Sequence, residues 1–170
     1  VYVEKGKKMT DNLLEFLRES NAIESVYDED SLNQAKYAWT HLSIEKEISI
    51  GVILKVHKIL MLHQPLRPNE RGYFREVPVW VGNREGIEKD KIRSAMEKWC
   101  ERANLMVKHP GSRIEEDINN HHIEYEKIHP FVDGNGRTGR MFLNWQRQQV
   151  GLPIFVIKES ERFEYYKWFK

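Results

Sequence analysis

Between His129 and Arg140 the chain reads His-Pro-Phe-Val-Asp-Gly-Asn-Gly-Arg-Thr-Gly-Arg. A histidine, a carboxylate, a glycine-flanked turn and two arginines lie close together here. That set supplies most of what is needed to hold a nucleoside triphosphate and activate a hydroxyl against it. His129 is the nearby group whose unperturbed pKa suits proton abstraction near neutral pH. Asp133 offers carboxylate oxygens to a divalent cation. From Thr138 to Gln146 the pattern is helical and runs on to Gly151-Leu152-Pro153, so Gly134-Asn135-Gly136 enters a helix. Backbone N–H groups without intrahelical acceptors and the positive end of the helix dipole face the same way there. Such an end attracts phosphate, and glycine lets it come close. Arg137 and Arg140, three residues apart, lie on one face and can reach the same anion. Taken singly, each part has an ordinary structural reading: a packing histidine, a turn, a solvated basic face. Their joint order is far more specific.

The elements that must position these residues are nearly all helical. Thr10 and Asp11 cap a helix carrying Leu13, Leu14, Phe16 and Leu17 on one side. Ser31 with Gln34 reads as a capping box for Leu32 to Leu42. Ser43, with Lys46 and Glu47, opens a long segment in which Ile44, Ile48, Val52, Ile53, Val56, Ile59 and Leu60 keep helical spacing to about His63. Pro65 and Pro68 mark a loop. Val77, Val79 and Val81 alternate with Pro78 and Trp80, which predicts an edge strand or hairpin because Pro78 cannot donate to a ladder. Glu88 to Leu105, Ser112 to Ile128 and Glu159 to Phe169 complete the helices. No repeat or linker divides residues 1–170, so a single domain is expected.

The chain has 170 residues, 40% of them hydrophobic, enough for one ordinary core. Charge is dense but balanced, with 27 basic and 26 acidic residues, which points away from nucleic acid as a partner. The single cysteine, Cys100, excludes an internal disulfide and a cysteine-based metal cluster. No apolar run approaches a membrane span and no signal-peptide pattern is seen, so a cytoplasmic location without membrane partners is expected. His121-His122 lacks the i, i+4 spacing of a helical zinc motif and reads as packing.

The segment His129–Arg140 resembles the signature of the Fic family, H-x-F-x-D/E-G-N-G/K-R-x-x-R. The resemblance extends over about residues 40–165, including the helix before the motif, Gly72-Tyr73-Phe74-Arg75 and Gly-Leu-Pro. It implies a mainly α fold: a Fic-type helical bundle with a small β-hairpin flap beside the active-site loop. Residues 1–30 form an N-terminal segment before that core. Ser20-Asn21-Ala22-Ile23-Glu24-Ser25 is similar to the family's inhibitory-helix pattern S/T-x-x-x-E-G/N. By that resemblance Glu24 pairs with Arg140, Ser20 begins the motif, and ATP is confined to an unproductive pose. Ser25 departs from the pattern: it stands where Gly or Asn is usual, residues that tolerate left-handed backbone better.

The same resemblance implies transfer of AMP from ATP, with Mg2+, to a Ser, Thr or Tyr hydroxyl of a target protein or of the chain itself. His129 is then the base, and Asp133 holds Mg2+. Gly134, Asn135 and Gly136 cradle phosphate, with the Asn135 side chain on the α-phosphate. Arg137 takes the β/γ end and Arg140 the γ-phosphate. Val79, Trp80, Val81, Gly82 and Asn83 form a flap that aligns the target by main-chain pairing. Phe131 pins the loop to the core, Pro130 stiffens the exit from the helix, and Val132 packs. Asn144, Tyr165 and Tyr166 are candidates for the adenine pocket. A homodimer is a further expectation. Three other readings stay open: removal of AMP from a modified protein, a phosphotransferase of the same fold, and a non-catalytic nucleotide-sensing module.

Overall fold

The structure, a computed structural model, describes residues 9–81 and 84–169. Among them are seven α-helices and one two-stranded hairpin, the mainly helical architecture expected. The first helix, α1 (Asp11–Ile23), starts where Thr10 accepts the Leu13 N–H, and it buries Phe16 and Leu17. The second, α2 (Glu29–Ser43), begins earlier than a Ser31 capping box predicts. Asp28 is the cap, its carboxylate accepting the Ser31 N–H at 2.7 Å. The Ser31 hydroxyl instead accepts from Gln64.

The long segment expected from Ser43 is broken. Ser43 ends α2, and α3 (Ile50–Leu60) starts afresh at a Ser49 cap. The physical reason lies in Asn104, whose carboxamide accepts the Ile48 N–H at 2.7 Å and donates to the Ile48 carbonyl at 2.8 Å. Both main-chain groups of Ile48 are thereby taken from any helix ladder. The expected strand over Val77–Val81 shortens to β1 (Trp80–Val81), antiparallel to β2 (Arg84–Glu85), with Trp80 opposite Glu85 and Val81 opposite Arg84. Pro78 has no N–H to extend the ladder. Gly82 and Asn83 of the expected flap lie outside the described residues.

The remaining helices are α4 (Lys89–Lys108), α5 (Ile114–Ile128), α6 (Asn135–Gln149) and α7 (Arg162–Tyr166). Where one helix was expected from Glu159 to Phe169, α7 is short and flanked by the 3-10 turns Glu159–Glu161 and Lys167–Phe169. The tighter second turn lets Trp168 and Phe169 both meet the Tyr165 ring edge-on.

At the centre lies α6, which packs chiefly on α5 and also touches α1, α2, α3 and α4. All but three of its fifteen residues are buried, although half its side chains are polar. Burial of Met141, Phe142, Leu143 and Trp145 drives its packing, at about 1.5–3 kcal/mol for each large apolar side chain. Most of its polar side chains are matched, which keeps their burial inexpensive. Thr138 donates to Gly134 O and meets the Tyr125 hydroxyl. Gln146 donates to Phe142 O and faces His121. Arg147 bonds Pro153 O and Glu115. Asn144 accepts the Phe155 N–H and donates to the Phe155 carbonyl. Among the described residues no helix is long and apolar enough to cross a membrane.

Candidate active site

The loop joining α5 to α6 carries the motif, and its shape is set by bonds to buried side chains. His129 ends α5 in left-handed conformation, φ 49°, with its N–H bonded to Tyr125 O. Phe131 is fully buried and stacks on His57, ring centroids 3.7 Å apart and planes within 7°. His57 Nδ1 accepts the Gly72 N–H at 2.9 Å, so its proton sits on Nε2 and is donated to Asp133 O, also 2.9 Å away. Burial pushes the His57 pKa down to about 4, which keeps this bridge in its neutral form.

Arg75 holds the loop from the other side. Its Nε donates to His129 O at 2.8 Å, and its two Nη atoms donate to the carbonyls of Val77, Ile87 and Ile128. Its N–H meets Pro130 O. This guanidinium sits buried at the carbonyl end of α5, where the helix dipole favours a cation. One residue thus ties the end of α5, the motif and both flanks of the hairpin together.

Asn135 is tied into the loop by its side chain. Its side chain is buried and grips Phe131, accepting the N–H and donating to the carbonyl at 2.9 Å each. The carboxamide is therefore a clamp on the loop, and the main-chain N–H of Asn135 lies at the open helix end. Asn104 on Ile48 and Asn144 on Phe155 repeat the same double bond. Asn144 is consequently not free to line an adenine pocket. Tyr165 is buried as well, with its hydroxyl 2.7 Å from His122 Nε2 and 3.5 Å from Arg140. Tyr166 is the candidate of the three that reaches the surface.

His129 Nδ1 lies 3.3 Å from Glu126 O. A carbonyl only accepts, so Nδ1 carries the proton and Nε2 keeps its lone pair. Burial, with Arg75 nearby, lowers the His129 pKa, so the ring is neutral near pH 7. Asp133 is exposed; its Oδ1 accepts the Gly134 N–H at 2.6 Å and its Oδ2 faces Arg137 Nη2 at 3.5 Å. Among the described residues no group of three acidic, histidine or cysteine side chains could enclose a metal. A single exposed carboxylate nevertheless suits Mg2+, which keeps several waters and takes phosphate oxygens from a substrate.

Gly134, at φ 82°, caps α6 so closely against Met61 that a Cβ would come within 2.6 Å of its sulfur. The first intrahelical bond runs from the Thr138 N–H to Gly134 O. The N–H groups of Asn135, Gly136 and Arg137 precede it and point out of the helix end. Arg137 is buried with its Nε unpartnered, and its side-chain contact is the long one to Asp133. It is a cation with unused donors beside an anion-attracting helix end.

Arg140, also buried, is occupied. Its Nε donates to Ser20 Oγ at 2.9 Å, and Nη2 donates to Ser20 O at 2.9 Å and to Glu24 Oε1 at 2.7 Å. Ser20 of α1 and its C-cap residue Glu24 thus meet Arg140 together, one helical turn apart. The end of α1 is closed by bonds from Ser25 N–H to Ala22 O and from Val26 N–H to Asn21 O. This closure needs left-handed backbone at Ser25, which adopts φ 59° despite its side chain. Elsewhere α1 is docked by Glu19, which accepts the Glu159 N–H, and by Ile23 against Ile157 and Tyr165.

Of the residues expected to form a flap, Val79 lies before β1 and Trp80 and Val81 form it, with Trp80 68% exposed. His121 and His122 are buried, the first stacked on Trp99 and the second bonded to Tyr165. Sequence reasoning missed His57, Arg75 and Glu126. Arg75 left a trace in the Gly-Tyr-Phe-Arg segment, and Glu126 one as an acid, with Glu124, close to the His121-His122 pair. His57 gave none, because a histidine within an apolar helix face reads as filler.

The model of the Fic/DOC family matches residues 47–146. The chain is 32% identical over 138 residues to protein adenylyltransferase Fic of Drosophila erecta, and 31% identical to that of Drosophila melanogaster. Each alignment covers 79% of this chain but 27% of the relative, so the chain spans about a quarter of their length. In fold it is similar to Fic-1 from C. elegans, with a TM-score of 0.78, 21% identity and coverage of 94% of this chain and 55% of that one. It is also similar to a Fic domain containing signaling protein from Bacteroides thetaiotaomicron, with a TM-score of 0.77, 17% identity and coverage of 91% and 69%.

Proposed function

The chain belongs to the Fic/DOC family, and we propose that it is a protein adenylyltransferase held in check by Glu24. In this reading it transfers AMP from ATP to a Ser, Thr or Tyr hydroxyl of a protein, itself included. The observation that carries the reading is the Glu24–Arg140 pair at the open end of α6, one loop away from a histidine with a free Nε2.

His129 Nε2 takes the proton of the incoming hydroxyl as its oxygen bonds to the α-phosphorus and the bond to pyrophosphate breaks. The fixed Nδ1 bond to Glu126 O keeps that lone pair aimed outward. The N–H groups of Asn135, Gly136 and Arg137, with the spare donors of Arg137, bind the phosphates. Arg140 takes the γ-phosphate. Asp133 would hold Mg2+, which would neutralise charge on the phosphates. Arg75, His57 and the Asn135 clamp fix the loop so that base and anion site keep their spacing.

Glu24 blocks by occupation and by charge. Its carboxylate takes the donors meant for the γ-phosphate and repels a triphosphate from the helix end. The hairpin lies beside this site through Arg75, which suits a flap that pairs with an extended target segment. Incubation with Mg2+ and ATP labelled at the α- or γ-position tests the reading. Label arriving on protein from the α-position supports it, and label from the γ-position would replace it with kinase chemistry.

A further inference from the structure

Arg140 is a buried cation whose bonds run almost entirely to one element. Three of them end on Ser20 and Glu24 of the α1 segment, and the contact elsewhere is the long one to Tyr165. Activation on the reading above requires Glu24 to leave. A guanidinium left buried without a counter-charge is strongly destabilising.

A second buried carboxylate lies nearby, beyond ion-pair distance of Arg140 and against the neighbouring Gly139. Glu126 of α5 is 5% exposed, and its Oε1 is buried without a hydrogen-bond partner. Gly136 and Gly139 are three residues apart on α6, about 4.5 Å along its axis. A Cβ at Gly136 would run into the Glu24 carboxylate and, at 2.9 Å, Arg140 Nη1. A Cβ at Gly139 would come within 2.6 Å of Glu126 Oε1. Each glycine makes room for one carboxylate, Glu24 at the mouth of the site and Glu126 one turn deeper. The other groups facing Glu126 cannot serve as its cation. His122 Nε2, 3.9 Å away, is engaged with Tyr165, and burial keeps that imidazole neutral.

We infer that Glu126 is a positioning residue for Arg140, a second counter-ion that takes over the guanidinium when Glu24 withdraws. This rests on the proposed roles of Glu24 and Arg140. From its deeper place Glu126 can hold Arg140 without covering the N–H groups at the mouth. Burial pushes the Glu126 carboxyl up to about 7, Arg140 opposing the rise and Glu24 adding to it. Removal of Glu24 therefore favours ionisation of Glu126, and a negative charge faces Arg140 in either state.

The test is a cycle of four proteins: wild type, E24G, E126Q and the double variant. Without nucleotide, the melting temperature of the double variant should fall at least about 5 °C beyond the sum of the single effects, because it strips Arg140 of both charges. Additive effects would overturn the inference. If the double variant does not fold, Glu126→Asp in the E24G background must restore folding by restoring the charge; failure of both would mean that Glu126 only packs. Calorimetric titration with ATP and ADP adds a readout that packing would not produce. The double variant should bind ATP roughly tenfold more weakly than E24G and ADP within about twofold of it; equal loss for both would contradict positioning. Absence of ATP binding in E24G itself would sink the adenylyltransferase reading, and the melting cycle would still decide the role of Glu126.

Discussion

The carboxylate of Glu24 rests against the α-carbon of Gly136, in the space that any side chain there would fill. On the proposed function, inhibitory acid and phosphate cradle therefore share one volume. Gly136→Ala should cost about 1–3 kcal/mol in urea unfolding, the usual range for overpacking. In the E24G background the cost should be smaller, since the carboxylate that clashes is gone. An equal loss in both backgrounds would mean that the strain lies elsewhere.

Ser25 closes α1 at φ 59°, a conformation that costs a side-chain-bearing residue roughly 1–2 kcal/mol. Ser25→Gly should relieve most of this and raise the melting temperature by about 2–4 °C. It should also lower any basal AMP transfer, because α1 then holds Glu24 more firmly. Unchanged melting would show that the serine is not strained.

The Asn135 clamp supplies both bonds to the main chain of Phe131. Asn135→Ala leaves a buried N–H and a buried carbonyl unpaired, at an expected cost of about 2–4 kcal/mol in chemical unfolding. If Asn135 were a phosphate ligand alone, stability would be unchanged and only ATP binding would suffer.

On the proposed function His129 is a base in its neutral form, and burial lowers its pKa. Transfer by an uninhibited variant should therefore rise with pH and reach half its plateau below about 6.5, the value of a free histidine. Acidification through that point protonates Nε2 and removes the base. His129→Ala should abolish transfer and leave ATP binding intact. A half-point well above the free value would assign the titration to another group.

The motif was legible because its chemistry is local: glycine, acid and arginine at fixed spacing around one helix start. Glu24 was legible only through resemblance, since its partner lies 116 positions away. What escaped was what holds the loop. The Asn135 carboxamide looked free for phosphate, and nothing in the sequence said that Phe131 would claim both its ends. The continuous helix expected from Ser43 failed for the same reason, because Asn104 reaches across from α4 to hold Ile48. Arg75 satisfies four carbonyls from three separate stretches of chain that only the fold brings together. Hydrophobic spacing predicts which face is buried, but not which distant main chain a polar side chain will bind.

On the proposed function, Glu24 restrains AMP transfer by holding Arg140. The most direct measurement compares wild type with Glu24→Gly, given Mg2+ and ATP labelled at the α- or γ-position, following label on protein and intact mass. Loss of one charge-assisted bond, about 1.5–3 kcal/mol, predicts roughly 10- to 100-fold faster transfer from the α-position in the variant, with none from the γ-position. Equal transfer by both proteins would mean that Glu24 does not restrain the reaction, and γ-label on protein would mean that it is not AMP transfer.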